Sequence, residues 1–91
     1  MSWGSEIEIE RRNRIILSVA AYSYEFENDS IISDAEYDEL SRKIRLDIKT
    51  SNPKLDKFFQ TKFETDTGMW IHKHPELNKL KRLYNRIKSN E

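Results

Sequence analysis

The chain has 91 residues, with 16 basic and 16 acidic side chains, a formal net charge of zero and no cysteine. That size allows one modest core. The missing cysteines exclude disulfides and thiolate metal sites, and make a reducing cytoplasm the expected compartment. Hydrophobic residues at 36%, aromatics at 11% and only two glycines and two prolines argue against both disorder and an all-β chain.

At the start, Met1-Ser2-Trp3-Gly4-Ser5-Glu6 has no basic stretch ahead of an apolar one, so no signal peptide is expected. No apolar run approaches the roughly 20 residues of a membrane span. Ser5 and Glu8 are spaced as a capping box, and Glu8 with Arg12 and Glu10 with Arg14 are helical i, i+4 pairs. The apolar residues Ile9, Ile15, Ile16, Val19, Ala20, Tyr22 and Phe26 follow, broadest near Leu17. They predict a central helix covered on most sides.

Glu27-Asn28-Asp29-Ser30 reads as a turn. Ser33 and Glu36 form a second capping box, with Ile32 placed as a hydrophobic staple. Tyr37, Leu40, Ile44 and Ile48 then make one stripe, which predicts a helix over 34–48, antiparallel to the first. Asn52 and Pro53 open a short third helix carrying Leu55, Phe58 and Phe59. Thr65-Asp66-Thr67-Gly68 is a loop, and Met69-Trp70-Ile71 an apolar cluster expected to dock on the core. A basic last helix is predicted from Pro75, with Leu77, Leu80, Tyr84 and Ile87 inward and Lys79, Arg82 and Arg86 opposite. The tail Ser89-Asn90-Glu91 is expected to fray. The expectation is one all-α domain over 1–91, built on a helical hairpin.

Charge is unevenly spread. Every charged residue from Glu25 to Glu39 is acidic, and from His72 to Lys88 only Glu76 is. An acidic end and a basic end are expected. Asp34 and Asp38, one turn apart, project from the same side of the second helix. With Tyr24 and Tyr37 nearby, they suit a flat cation, bound by stacking, cation–π attraction and charge-assisted hydrogen bonds. The competing reading is that Tyr37, at a stripe position, is a core contact.

Ser33-Asp34-Ala35-Glu36-Tyr37-Asp38-Glu39-Leu40, with Tyr22-Ser23-Tyr24 upstream, resembles the Ser/Pro-Asp-Ala-Glu-Tyr-Asp-x-Leu motif of the N-terminal Ia subdomain of NAD-dependent DNA ligases. The resemblance covers about residues 9–55; Asn52-Pro53-Lys54-Leu55 falls near the family's His-Pro-Glu-Leu, and 56–91 has no counterpart. It implies a helical hairpin that closes over the nicotinamide mononucleotide half of NAD, with Tyr24, Asp34, Tyr37 and Asp38 on the nicotinamide side. Directly after the first tyrosine of that site the family carries a histidine, where this chain has Glu25. Adenylation in the family needs a Lys-x-Asp-Gly motif on a separate, larger domain. Lys54-Leu55-Asp56-Lys57 lacks the glycine and reads as a solvated segment, so no catalysis and no required cofactor are expected. NAD or nicotinamide mononucleotide is the expected small ligand.

The resulting expectation is a stand-alone, non-catalytic binding module for a protein partner or a nicotinamide-type nucleotide. By analogy, it has the form of a phage or mobile-element accessory protein. The alternative is non-specific nucleic-acid binding through Lys79, Arg82 and Arg86; the competing reading of that face is charge balance and solubility. His72 and His74 are too close for a helical metal pair, and two glycines leave no phosphate-cradling loop.

Overall fold

The computed structural model describes residues 5–65 and 67–90. Met1 to Gly4, Asp66 of the expected loop and Glu91 of the expected fraying tail lie outside the described residues. The elements are α1 (Glu6–Phe26), α2 (Asp34–Lys43), α3 (Pro53–Lys62), a 3-10 helix (Met69–Lys73) and α4 (Leu77–Ser89). The described residues contain no strand.

α1 has 21 residues. At 1.5 Å per residue it is about 30 Å long, nearly the longest dimension of a molecule measuring 35 × 30 × 25 Å. α2, α4 and the 3-10 helix all pack on it. Its residues 17–23 are buried without a break, so this stretch is covered on every side. Phe58 and Phe59 of α3, Trp70, Ile71 and Leu80 complete the core. The aromatic rings interlock there: Trp70 lies 5.0 Å from Phe63 and 5.6 Å from Phe59, centroid to centroid. The cluster Met69-Trp70-Ile71 docks as expected through Trp70 and Ile71, while Met69 stays 62% exposed.

The local start signals act as their chemistry dictates. Ser33 Oγ accepts the Glu36 N–H at 3.1 Å, and the Glu36 carboxylate accepts the Ser33 N–H at 3.2 Å. Asn52 Oδ1 accepts the Leu55 N–H at 3.2 Å, with Pro53 in the first turn. At the end of α1, Asn28 takes the left-handed conformation, φ 52°. The Asp29 N–H then reaches back to the Ser23 carbonyl at 3.0 Å. This is the closure that ends a helix when a residue tolerant of positive φ follows it.

Three expectations are corrected. First, the isoleucines of α1 do not face the core: Ile9, Ile15 and Ile16 are 46%, 45% and 38% exposed, and Phe26 is 43% exposed. The inward stripe of this half runs through Glu10 and Arg14 instead, buried to 2% and 4% exposure. Arg14 Nε donates to Glu10 at 2.6 Å and Nη1 to Asp56 at 2.8 Å. Nη2 reaches the carbonyls of Arg45 and Ile48 at 2.8 and 3.1 Å. The guanidinium also lies 5.0 Å from the Phe59 ring centroid. Asp56 is therefore part of a buried ionic knot rather than a solvated segment. Burial by itself pushes its carboxyl up, but the Thr50 hydroxyl and N–H and the Arg14 charge outweigh this and hold it below the usual carboxylate range.

Second, α2 ends at Lys43, not Ile48, and Ile44 is extended at φ −64°, ψ 130°. The knot supplies the reason. Glu10 takes the Arg45 N–H at 3.0 Å and Arg14 takes the Arg45 carbonyl. Charge-assisted bonds of this kind outweigh the modest preference for another helical turn. Ile48 still packs inward, at 9% exposure, from an irregular segment.

Third, α4 starts at Leu77 rather than Pro75, because the His74 ring nitrogen Nδ1 accepts the Glu76 N–H at 2.9 Å and holds a turn there. Its apolar side is Leu77, Leu80, Leu83 and Tyr84, while Ile87 is 41% exposed. The expected separation into an acidic and a basic end is also reduced. Asp29 accepts from the Tyr84 hydroxyl at 2.8 Å and pairs with Lys88 at 3.1 Å, so α4 folds back onto the acidic turn. Among the described residues, no helix is long and apolar enough to cross a membrane.

Candidate functional site

A cleft of about 480 Å³ opens between the C-terminal half of α1, the turn into α2, and the segment Thr67–Met69. Its position follows from local rules. The Asn28 turn reverses the chain, and the Ser33 cap fixes where α2 begins. Asp34 and Asp38 then sit one helical turn apart on the side that meets α1. Tyr24, Asp34, Tyr37 and Asp38 all line this one cleft, together with Glu25 and Gly68.

The two tyrosines differ. Tyr24 is 63% exposed and presents its ring at the surface. Tyr37 is packed against the core, and its hydroxyl donates to the Thr67 carbonyl at 2.9 Å. Trp70 Nε1 donates to the same carbonyl at 2.8 Å. Burial, with the nearby charges of Glu25 and Asp38, pushes the Tyr37 phenol up to about 12, against an opposing contribution from Trp70. Tyr37 is thus a neutral phenol whose hydroxyl is already committed. It combines the core role and the cleft role that its stripe position left open.

Glu25 takes a partner that its sequence position does not announce. Its carboxylate lies 2.8 Å from His72 Nε2, and the His72 ring lies 4.7 Å from Phe26. Histidine thus does reach this neighbourhood, from the 3-10 helix. Gly68 closes the floor. A methyl group there would lie 3.6 Å from both Ala21 Cβ and the Tyr37 hydroxyl, and 3.8 Å from Glu25 Cγ. These are ordinary contact distances, so the floor has room for one more carbon.

Sequence reasoning missed this third wall. Thr67, Gly68 and Met69 read only as a loop and a docking cluster, and the sole signal was one of the chain's two glycines beside a turn. The basic residues of α4 are elsewhere: Lys79, Arg82 and Arg86 are exposed, and Lys79 pairs with Glu76 at 2.9 Å. His72 and His74 turn to different partners, Glu25 and the Glu76 N–H. Among the described residues no three His, Asp or Glu side chains group as a metal site.

In chemical terms the cleft offers two aromatic rings, one exposed and one fixed, beside carboxylates on adjacent helices. Such a lining attracts a flat cation and supplies acceptors for its amide or hydroxyl hydrogens. No family model, no curated protein and no solved structure matches this chain. The resemblance to the ligase Ia subdomain therefore rests on the residues of the motif themselves.

Proposed function

We propose that this chain is a non-catalytic binding module that holds a nicotinamide-type cation in the cleft between α1 and α2. The observation that supports this reading most is the convergence of Tyr24, Asp34, Tyr37 and Asp38, nominated by motif spacing, on one cleft. The Tyr24 ring is available for stacking. Tyr37, with its hydroxyl spent on Thr67, contributes its ring and a fixed wall. Asp34 and Asp38 supply charge and hydrogen-bond acceptors. Cation–π attraction of this kind is worth about 0.5–1 kcal/mol at exposed sites and about 2 when desolvated.

The test is an NMR titration of the labelled protein with N1-methylnicotinamide, the smallest cation of the class, and with nicotinamide mononucleotide. Shifts are expected at Tyr24, Tyr37 and Gly68, and Asp34→Ala should weaken them. If neither compound moves these resonances at ligand concentrations of about 1 mM, the proposal fails.

A further inference from the structure

Resting on that reading, we propose that the cleft selects the phosphate-free form of its ligand, a pyridinium nucleoside, over the corresponding nucleotide. Three carboxylates line the cleft, Glu25, Asp34 and Asp38, and its lining includes no lysine or arginine among the described residues. A phosphate drawn into this space would meet acceptors and like charge instead of donors. His72 touches Glu25 from outside the lining and offsets at most one of the three charges.

The other usual source of phosphate donors is already partly used. A helix N-terminus binds phosphate through its unpaired N–H groups and dipole. The N-terminus of α2 borders this cleft, but two of its N–H groups are already held: Ser33 Oγ accepts the Glu36 N–H, and the Glu36 carboxylate accepts the Ser33 N–H. Asp34, in the first turn, adds a negative charge where a phosphate would approach. Gly68 lies at φ −105°, so it does not alternate handedness with its neighbours to form an anion-binding nest. A nucleoside keeps the ring, the positive charge and the sugar hydroxyls, all of which the lining can bind. Adding a phosphate makes the ligand's net charge negative beside three carboxylates, in a lining with no basic side chain among the described residues.

The experiment titrates the full chain with nicotinamide riboside, nicotinamide mononucleotide and uncharged nicotinamide, following Tyr24, Tyr37 and Gly68 by NMR. The riboside is expected to bind at least about tenfold more tightly than the mononucleotide, a difference of about 1.4 kcal/mol. Raising the ionic strength from about 0.01 to 1 M, which shortens the screening length from about 30 to 3 Å, should narrow that gap. The double variant Asp34→Asn with Asp38→Asn should abolish the preference while leaving a dispersed spectrum. Gly68→Ala, which adds a carbon to the floor without strain, should weaken both ligands alike. If the mononucleotide binds as tightly as the riboside or more so, the phosphate inference is overturned and the module reading stands. If none of the three ligands moves the cleft resonances, the cation reading itself falls and takes the inference with it.

Discussion

Replacing Arg14 by methionine tests the least expected feature of the fold. The guanidinium, 4% exposed, ties Glu10 of its own helix to Asp56 of α3 and to two carbonyls of the segment after α2. Methionine matches the stem and keeps its packing on Phe59, but leaves two buried carboxylates and two carbonyls without their shared donor. Removing one partner of a buried ionic group costs about 3–5 kcal/mol. A domain of this length has a total stability of roughly 5–14 kcal/mol at 0.05–0.15 kcal/mol per residue. Arg14→Met should therefore remove roughly a fifth or more of it. Urea unfolding followed by far-UV circular dichroism should show a midpoint lower by about 2–3 M, for a slope near 1.5 kcal/mol per M. Arg12→Met, on the exposed face, should stay within about 0.5 kcal/mol. The double variant Arg14→Met with Asp56→Asn should lose less than the sum of its parts by about 1 kcal/mol or more, because no unpaired Asp56 charge remains. Amide exchange at Arg45 and Thr50, whose N–H groups bond to Glu10 and Asp56, should accelerate in Arg14→Met. A loss below about 1 kcal/mol for Arg14→Met would refute the assignment of the knot as the anchor of this segment.

Two other predictions concern buried polar groups. Burial pushes His74 down to about 4 from the ordinary 6.5, with Glu76 opposing, so the fold holds it neutral while the unfolded chain takes up a proton. Its contribution to stability is complete above pH 6.5 and is lost as the pH falls towards 4, by roughly 2–3 kcal/mol. His74→Asn, whose side-chain oxygen can accept the Glu76 N–H, should flatten the pH dependence of the unfolding free energy in that window; an unchanged slope would contradict the assignment. Ser41 Oγ is buried without a hydrogen-bond partner among the described residues. Ser41→Ala, read by thermal melting, should be neutral or stabilising, since an unmet buried hydroxyl is itself a cost of about 1–3 kcal/mol; a loss of more than about 1 kcal/mol would show that the hydroxyl is satisfied.

The candidate site was half legible in the residues. Asp34 and Asp38 share a side because a helix repeats every 3.6 residues, and no distant contact is needed to know it. Tyr24 could be placed beside them once the turn at Asn28 was recognised. The commitment of the Tyr37 hydroxyl to Thr67 and the approach of His72 to Glu25 could not be read, because each partner lies at least 30 residues further along the chain. Nothing in the local sequence marks such a meeting. The glycine that forms the cleft floor was visible only as a loop residue.

The amino-acid sequence alone determined where α2 and α3 begin, that the chain is helical, and where the first turn reverses. Caps, proline at a first turn and a left-handed asparagine all act within about six residues, so their energies do not wait for the fold. Tertiary structure decided which face of α1 is inside and where α2 stops. Isoleucine periodicity pointed one way, but packing turned Glu10 and Arg14 inward, because the irregular segment after α2 needs partners for its backbone polar groups. A buried carbonyl without a donor costs as much as an apolar side chain gains by burial, and that balance is set only when distant segments meet.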